Sequence, residues 1–174
     1  MKKTFLVIPV ALLMAGCETV SWLQPLYAPE DIVREESLAG SWRVDGEDTL
    51  TIAVEGDGYL LTIEDKKGGK TVYSAYLLRI GGELYADLTE KGGGIPDHMP
   101  VRIEMSGDRM TWFMLNSEWL RKRVKDGTLP STRIAEGRKD IRWVVNVAPE
   151  EAQRLLRSYR YEAWEESVKL ERAW

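Results

Sequence analysis

Residues 49–65 read "TLTIAVEGDGYLLTIED". In the first arm Leu50, Ile52 and Val54 alternate with Thr49, Thr51 and Ala53. In the second, Tyr59, Leu61 and Ile63 alternate with Leu60 and Thr62. A period of two puts successive side chains on opposite faces, so each arm reads as a half-buried β-strand. Between them "EGDG" (55–58) supplies residues that tolerate positive φ, which predicts a tight hairpin.

The same grammar extends outward. "DKKGGK" (65–70) is a turn and "TVYSAYLLRI" (71–80) a long strand. "GG" (81–82) reverses the chain into "ELYADL" (83–88). After the loop "TEKGGGIPDHMP" (89–100), "VRIEM" (101–105) and "MTWFML" (110–115) flank the turn "SGDR" (106–109). With the strand that opens at Ser41 these make seven, and "IRWVVNV" (141–147) is an eighth. The pattern predicts a mainly β fold, an antiparallel meander closed or nearly closed into a barrel. Closure removes the exposed edges that template aggregation.

Helical signals flank the strands. Pro29, Glu30 and Asp31 suit the first turn of a short helix over 29–37, ended before Gly40. "SEWLRKRVKDG" (117–127) has Ser117 as cap and Trp119, Leu120 and Val124 at helical spacing. "LPSTRIAEGRKD" (129–140) reads as a loop. From Pro149, Ala152, Leu155, Leu156, Tyr159 and Ala163 fall on one stripe, which predicts a C-terminal helix over 149–160 or longer.

The chain opens "MKKTFLVIPVALLMAGC" (1–17). Two lysines, an apolar run of about ten residues and small residues before a cut are the layout of a secretory signal peptide. The run is shorter than the roughly 20 residues that span a bilayer, and Pro9 interrupts it. "Met14-Ala15-Gly16-Cys17" resembles the lipobox of bacterial lipoproteins, with Met14 where Leu is usual. The resemblance implies cleavage after residue 16, a diacylglycerol on the Cys17 thiol and acylation of the new amine. Chemistry favours this fate, because a lone exposed thiol in an oxidising compartment invites unwanted pairing. In the resemblance an aspartate after the cysteine retains the protein in the inner membrane. Glu18 stands there, which implies the outer membrane, facing the periplasm.

Removing residues 1–16 of 174 leaves 158, one ordinary domain. Loss of Lys2 and Lys3 moves the formal charge from −4 to −6. An acidic chain does not suggest nucleic-acid binding. Cys17 is the only cysteine, so no intramolecular disulfide staples the fold. The domains expected are a cleaved signal (1–16), a lipidated tether (17–28) and one barrel-like domain (29–174). Trp22, Leu23, Leu26 and Tyr27 are apolar for a tether, and packing back on the domain is their commoner fate.

"Gly40-Ser41-Trp42" resembles the opening of the lipocalin-like group of small barrels. There a Gly-x-Trp starts the first strand and the tryptophan closes the barrel base. A later arginine belongs to that signature, and Arg142 is the candidate. Inward residues of an eight-stranded barrel either fill it or leave room for one small ligand. Trp42, Tyr59, Tyr76, Tyr85 and Trp112 are the candidates to line such a space, with Tyr73 and Phe113 in the same aromatic set.

Catalytic signals are thin. His98 is the only histidine and cannot build a His-rich zinc site. Asp97 adjoins it in a loop, no serine lies in a "GxSxG" elbow, and a loop residue at a barrel mouth is the plainer reading. Asp45, Glu47 and Asp48 cluster after Trp42, as a solvated turn would. "GGG" (92–94) lacks the Lys-Ser/Thr of a phosphate loop. "RKRVK" (121–125) is basic but lies on one helix of an acidic protein. The expectation is therefore a non-catalytic binding or interaction module with no cofactor and no metal. It is held to the membrane through Cys17 and takes a small apolar ligand or an envelope protein. An envelope hydrolase using scattered carboxylates is the alternative. Another is an inhibitor of a secreted enzyme, a role small lipoprotein barrels serve by resemblance.

Overall fold

A computed structural model describes residues 18–44, 48–92, 97–135 and 140–173. The signal segment, Cys17, Asp45, Glu47 and most of "GGG" lie outside the described residues.

Twelve strands and two α-helices are described: β1 (Glu18–Trp22), β2 (Ile32–Val33), β3 (Gly40–Val44), β4 (Asp48–Glu55), β5 (Gly58–Glu64), β6 (Lys70–Ile80), β7 (Glu83–Glu90), β8 (His98–Ser106), β9 (Arg109–Leu115), α1 (Ser117–Lys125), β10 (Ser131–Ala135), β11 (Ile141–Val145), α2 (Pro149–Ser158) and β12 (Trp164–Arg172). Strands β3 to β9 run up and down in sequence order. β12 then enters between β9 and β3, and β6 pairs with both β5 and β7, so the sheet closes. The result is an eight-stranded antiparallel barrel, consistent with the lipocalin-like architecture.

Its hairpins form where turn chemistry allows. Gly81 and Gly82 both have positive φ (61° and 89°), and Ile80 pairs with Glu83 across them. That pair of angles is what a two-residue type I′ turn needs, and its twist matches the strands it joins.

The inward face alternates as the period predicts. Leu50, Ile52, Tyr59, Leu61, Leu77, Ala86, Val101, Ile103 and Trp112 are buried in one cluster. Packed against the outside of the barrel is a second layer: the sheet β1-β11-β10, in which β1 runs parallel to β11, together with α1 and α2. Trp22, Leu26, Leu78, Ile80, Tyr85, Trp119, Val145, Leu156 and Trp164 form its own apolar cluster. β6 and β7 therefore bury both faces over much of their length. This explains why "YLLRI" and "ELYAD" are nearly continuous apolar runs rather than clean alternations.

The structure corrects several expectations. "IRWVVNV" is not the eighth barrel strand; its first five residues are β11, in the outer sheet. The eighth is β12, where the sequence suggested helix. α2 stops at Ser158, and residues 159–163 turn the chain back. The apolar stripe that suggested helix ends at Ala163, and a register irregularity between Glu166 and Val168 breaks the strand alternation beyond it. One extra residue at a bulge separates Trp164, which packs outward, from Val168, which packs inward, by four positions.

The expected helix over 29–37 is two single 3-10 turns, Pro29–Asp31 and Glu36–Leu38, around β2. The expected tether belongs to the fold from residue 18 onward: Glu18–Trp22 is β1, and Trp22 and Leu26 are buried. The loop over 129–140 contains β10. Asn116, not Ser117, caps α1 by accepting the Trp119 backbone N–H at 2.8 Å.

The base of the barrel is closed around Trp42. Its ring is fully buried and its Nε1 donates to the Leu38 carbonyl at 2.9 Å. Arg172 lies over the ring, 4.3 Å from its centre, and donates to the Ala39 and Ser37 carbonyls. The arginine that covers the tryptophan is Arg172, not the expected Arg142, which lies on β11 in the outer sheet. Gly40 is required here. Its φ is +132°, and a Cβ would stand 2.8 Å from the Arg172 guanidinium.

Candidate functional site

The barrel's middle is full. The space between Tyr59, Leu77, Trp112 and their neighbours amounts to about 10 Å³, at the limit for one water molecule. Trp42, Tyr59 and Trp112 pack into the core rather than line a ligand chamber, and the Tyr59 hydroxyl accepts the Glu35 backbone N–H at 2.8 Å. Tyr76 and Tyr85 are not inside the barrel. Alternation along β6 and β7 turns them outward, Tyr76 against Tyr27 and Tyr85 against Trp164.

Space exists at the opposite end from Trp42. There the β7–β8 loop, the end of β9 and the outer layer border a cleft of about 420 Å³. Met99, Pro100, Met114 and Leu115 come from the barrel, and Val20, Trp22 and Leu120 from β1 and α1. Tyr73, Glu90, Asp97 and His98 supply its polar groups. Tyr73 and Glu90 are register partners across β6 and β7. Burial first, and the Glu90 charge second, push the Tyr73 phenol up from its ordinary 10.0. Of the expected aromatic set, only Tyr73 lines this cleft.

His98 begins β8 rather than sitting in a free loop. Its Nδ1 lies 2.8 Å from Asp87 Oδ1, and Thr89 Oγ1 is 3.4 Å from the same nitrogen. Asp87 is 1% exposed, and its second oxygen accepts the Leu26 backbone N–H. A buried carboxylate needs such partners, since an unpaired one would be strongly disfavoured. Asp97 does not orient the histidine. It accepts the Trp22 backbone N–H at 2.9 Å and the Ser21 hydroxyl at 3.1 Å, which pins β1 to the barrel. Asp87 was hidden in the sequence because it stands inside an apolar strand; its place between Ala86 and Leu88, away from either end of "ELYADL", was the signal available.

The segment held by Asp87 includes Tyr27. Burial, then the Asp87 charge and then Tyr76, raise the Tyr27 phenol from 10.0 to about 12. A phenol raised in the folded state contributes stability fully below pH 10, and that contribution is lost as pH rises through about 12. Absorbance titration near 295 nm should therefore show a late-ionising tyrosine that disappears in Tyr27→Phe. Chemical unfolding should show a steeper loss of stability for wild type than for Tyr27→Phe as pH rises from 10 toward 12. Ionisation of Tyr27 at its ordinary value would contradict the packing against Asp87.

A second charged knot lies away from the cleft. Arg160, just beyond α2, donates to Glu83 through Nε at 2.9 Å and Nη2 at 2.7 Å, while Arg102 reaches it at 3.2 Å. Burial alone would raise the Glu83 carboxyl. The hydrogen bonds from Arg160 and Tyr85 and the charges of both arginines outweigh it and hold the group below its usual range. This knot ties the end of α2 to β7. Asp48, the described member of the carboxylate cluster, accepts the Lys66 backbone N–H at 3.3 Å, as a turn residue does.

Among the described residues no three His, Cys, Asp or Glu side chains are placed to hold a metal ion, and no helix is long and apolar enough to cross a membrane. Comparison with protein-family models, with curated proteins and with solved structures finds no match to this chain.

Proposed function

We propose that the chain is a lipoprotein of the bacterial envelope, anchored through Cys17 in the outer membrane and facing the periplasm. It acts as a non-catalytic binding module. The observation that carries this reading is the contrast between a filled barrel and an open, mostly apolar cleft of about 420 Å³ at its mouth. Volumes of about 300–1,000 Å³ with apolar walls and a few polar groups suit a small ligand or a partner's side chains. Trp22, Met99, Met114 and Leu120 would hold the apolar body, and Tyr73, Glu90 and His98 would orient it.

A hydrolase is the second reading, favoured by the His98–Asp87 pair, which has the geometry of an oriented base. Against it, Asp87 spends its other oxygen on Leu26, and the described cleft lining holds no serine, threonine or cysteine nucleophile. The pair serves as a clamp.

Native mass spectrometry of the protein extracted from its membrane tests the proposal. It should report acyl mass on Cys17 and a second, non-covalent mass. Leu120→Glu should strip the second mass and leave the first. Cys17→Ser should release the protein into the soluble envelope fraction. A bare Cys17 would sink the anchor, and an empty cleft across all preparations would sink the ligand.

A further inference from the structure

α1 gathers four cations, Arg121, Lys122, Arg123 and Lys125, with Glu118 as its one acid. They stand out in a chain of net negative charge. Arg123 is used internally. Its guanidinium lies over the Tyr159 ring at 4.3 Å and pairs with Asp126 at 3.6 Å. Arg121 has no side-chain partner among the described residues, and Lys122 meets only the charge of Asp126. Lys122 and Lys125 are exposed and Arg121 half-exposed.

The position of this face matters as much as its charge. Arg121, Leu120 and Ser117 border one surface depression with Thr19 and Val20 of β1. Glu18, the first residue of β1, is already in register with Ile141. Cys17 is bonded directly to Glu18, so one Cα–Cα step of about 3.8 Å separates the proposed lipid attachment from ordered sheet. β1 is flanked by β11 in the sheet and by α1 packed against it, so the cations of α1 lie on an element that touches the strand leading from the proposed attachment.

We propose that the outward face of α1, through Arg121 and Lys122, rests on anionic phospholipid headgroups of the membrane that holds the Cys17 lipid. The inference rests on the reading of Cys17 as acylated. An acidic domain would otherwise be repelled by such a surface. Two cations beside the anchor favour the side that faces it, each strengthening attachment roughly fivefold. Val20 and Leu120 border both this surface and the apolar cleft. The cleft mouth therefore lies next to the bilayer, on the route by which an apolar ligand would leave it.

The test is lysine acetylation footprinting of the natural protein with vesicles of pure phosphatidylcholine or of phosphatidylcholine with 30% phosphatidylglycerol, a composition set at roughly the charge of an anionic leaflet. Lys169, on the barrel wall, is the internal reference. Modification of Lys122 relative to Lys169 should slow at least about fivefold on the anionic vesicles, and high salt should abolish the difference. In Arg121→Gln/Lys122→Gln the protection of Lys125 should fall as well. Equal reactivity of Lys122 on both vesicles overturns the docking. Intact mass of the same sample reports acylation separately. An acylated chain without Lys122 protection sinks the docking alone. A bare chain with protection sinks only the anchor.

Discussion

Ending the chain at Ala163 should abolish cooperative folding. β12 makes two ladders, with β9 along most of its length and with β3 at its end, and it is the stave that closes the barrel. Its removal exposes both neighbouring strand edges to solvent and to other chains. It also uncovers the apolar partners of Trp164, Val168 and Leu170. Burial of each such side chain is worth about 1.5–3 kcal/mol, so the three together rival the roughly 5–15 kcal/mol total stability of a domain. Arg172 leaves with them, and Trp42 loses the group that covers it. Circular dichroism with urea unfolding checks this. The shortened chain should show no sigmoidal transition and should aggregate at concentrations where the full chain does not. A shortened chain that unfolds at the full-length midpoint would mean that the barrel closes without β12.

Trp42→Ala should give the largest effect of any single substitution in the barrel, a loss of about 3–5 kcal/mol. The indole is fully buried at the base and its Nε1 donates to Leu38. No neighbour can collapse into the space, because the strands around it are locked in a closed ladder. Arg172→Met should lose less, about 1.5–3 kcal/mol, since it removes charge-assisted hydrogen bonds to Ser37 and Ala39 while keeping an apolar cover. The double variant should lose less than the sum, because the guanidinium over the ring couples the two sites. Urea midpoints with an unchanged slope are the measurement. Additive losses would show that the stacked arrangement contributes nothing of its own.

How much of this was legible depends on the range of the interactions. The hairpins β4–β5, β6–β7 and β8–β9 were readable, because alternation and turn residues lie within about twenty positions of each other. Trp42, a large ring at the start of a strand, was readable as a buried plug, but the arginine that covers it lies 130 residues later, at Arg172, where no local pattern announces it. The outer layer defeated local reading. β10 and β11 are short and partly exposed. β1 pairs in parallel with a strand more than a hundred residues away. The cleft was missed for the same reason: its walls come from β1, β6–β9 and α1, and the aromatic candidates chosen from the strands fill the core or face outward instead.

The amino-acid sequence by itself determined a barrel of antiparallel strands, its tight turns and its tryptophan plug, because period, turn chemistry and side-chain size act over short distances. It also carried the lipobox-like start. Only the tertiary structure decided which strand closes the barrel, whether its interior is hollow, and where Asp87, His98 and the cationic face of α1 lie. These depend on a bulge that breaks the alternation of a strand and on contacts between segments far apart in the chain. Packing selects such contacts only when every element is in place.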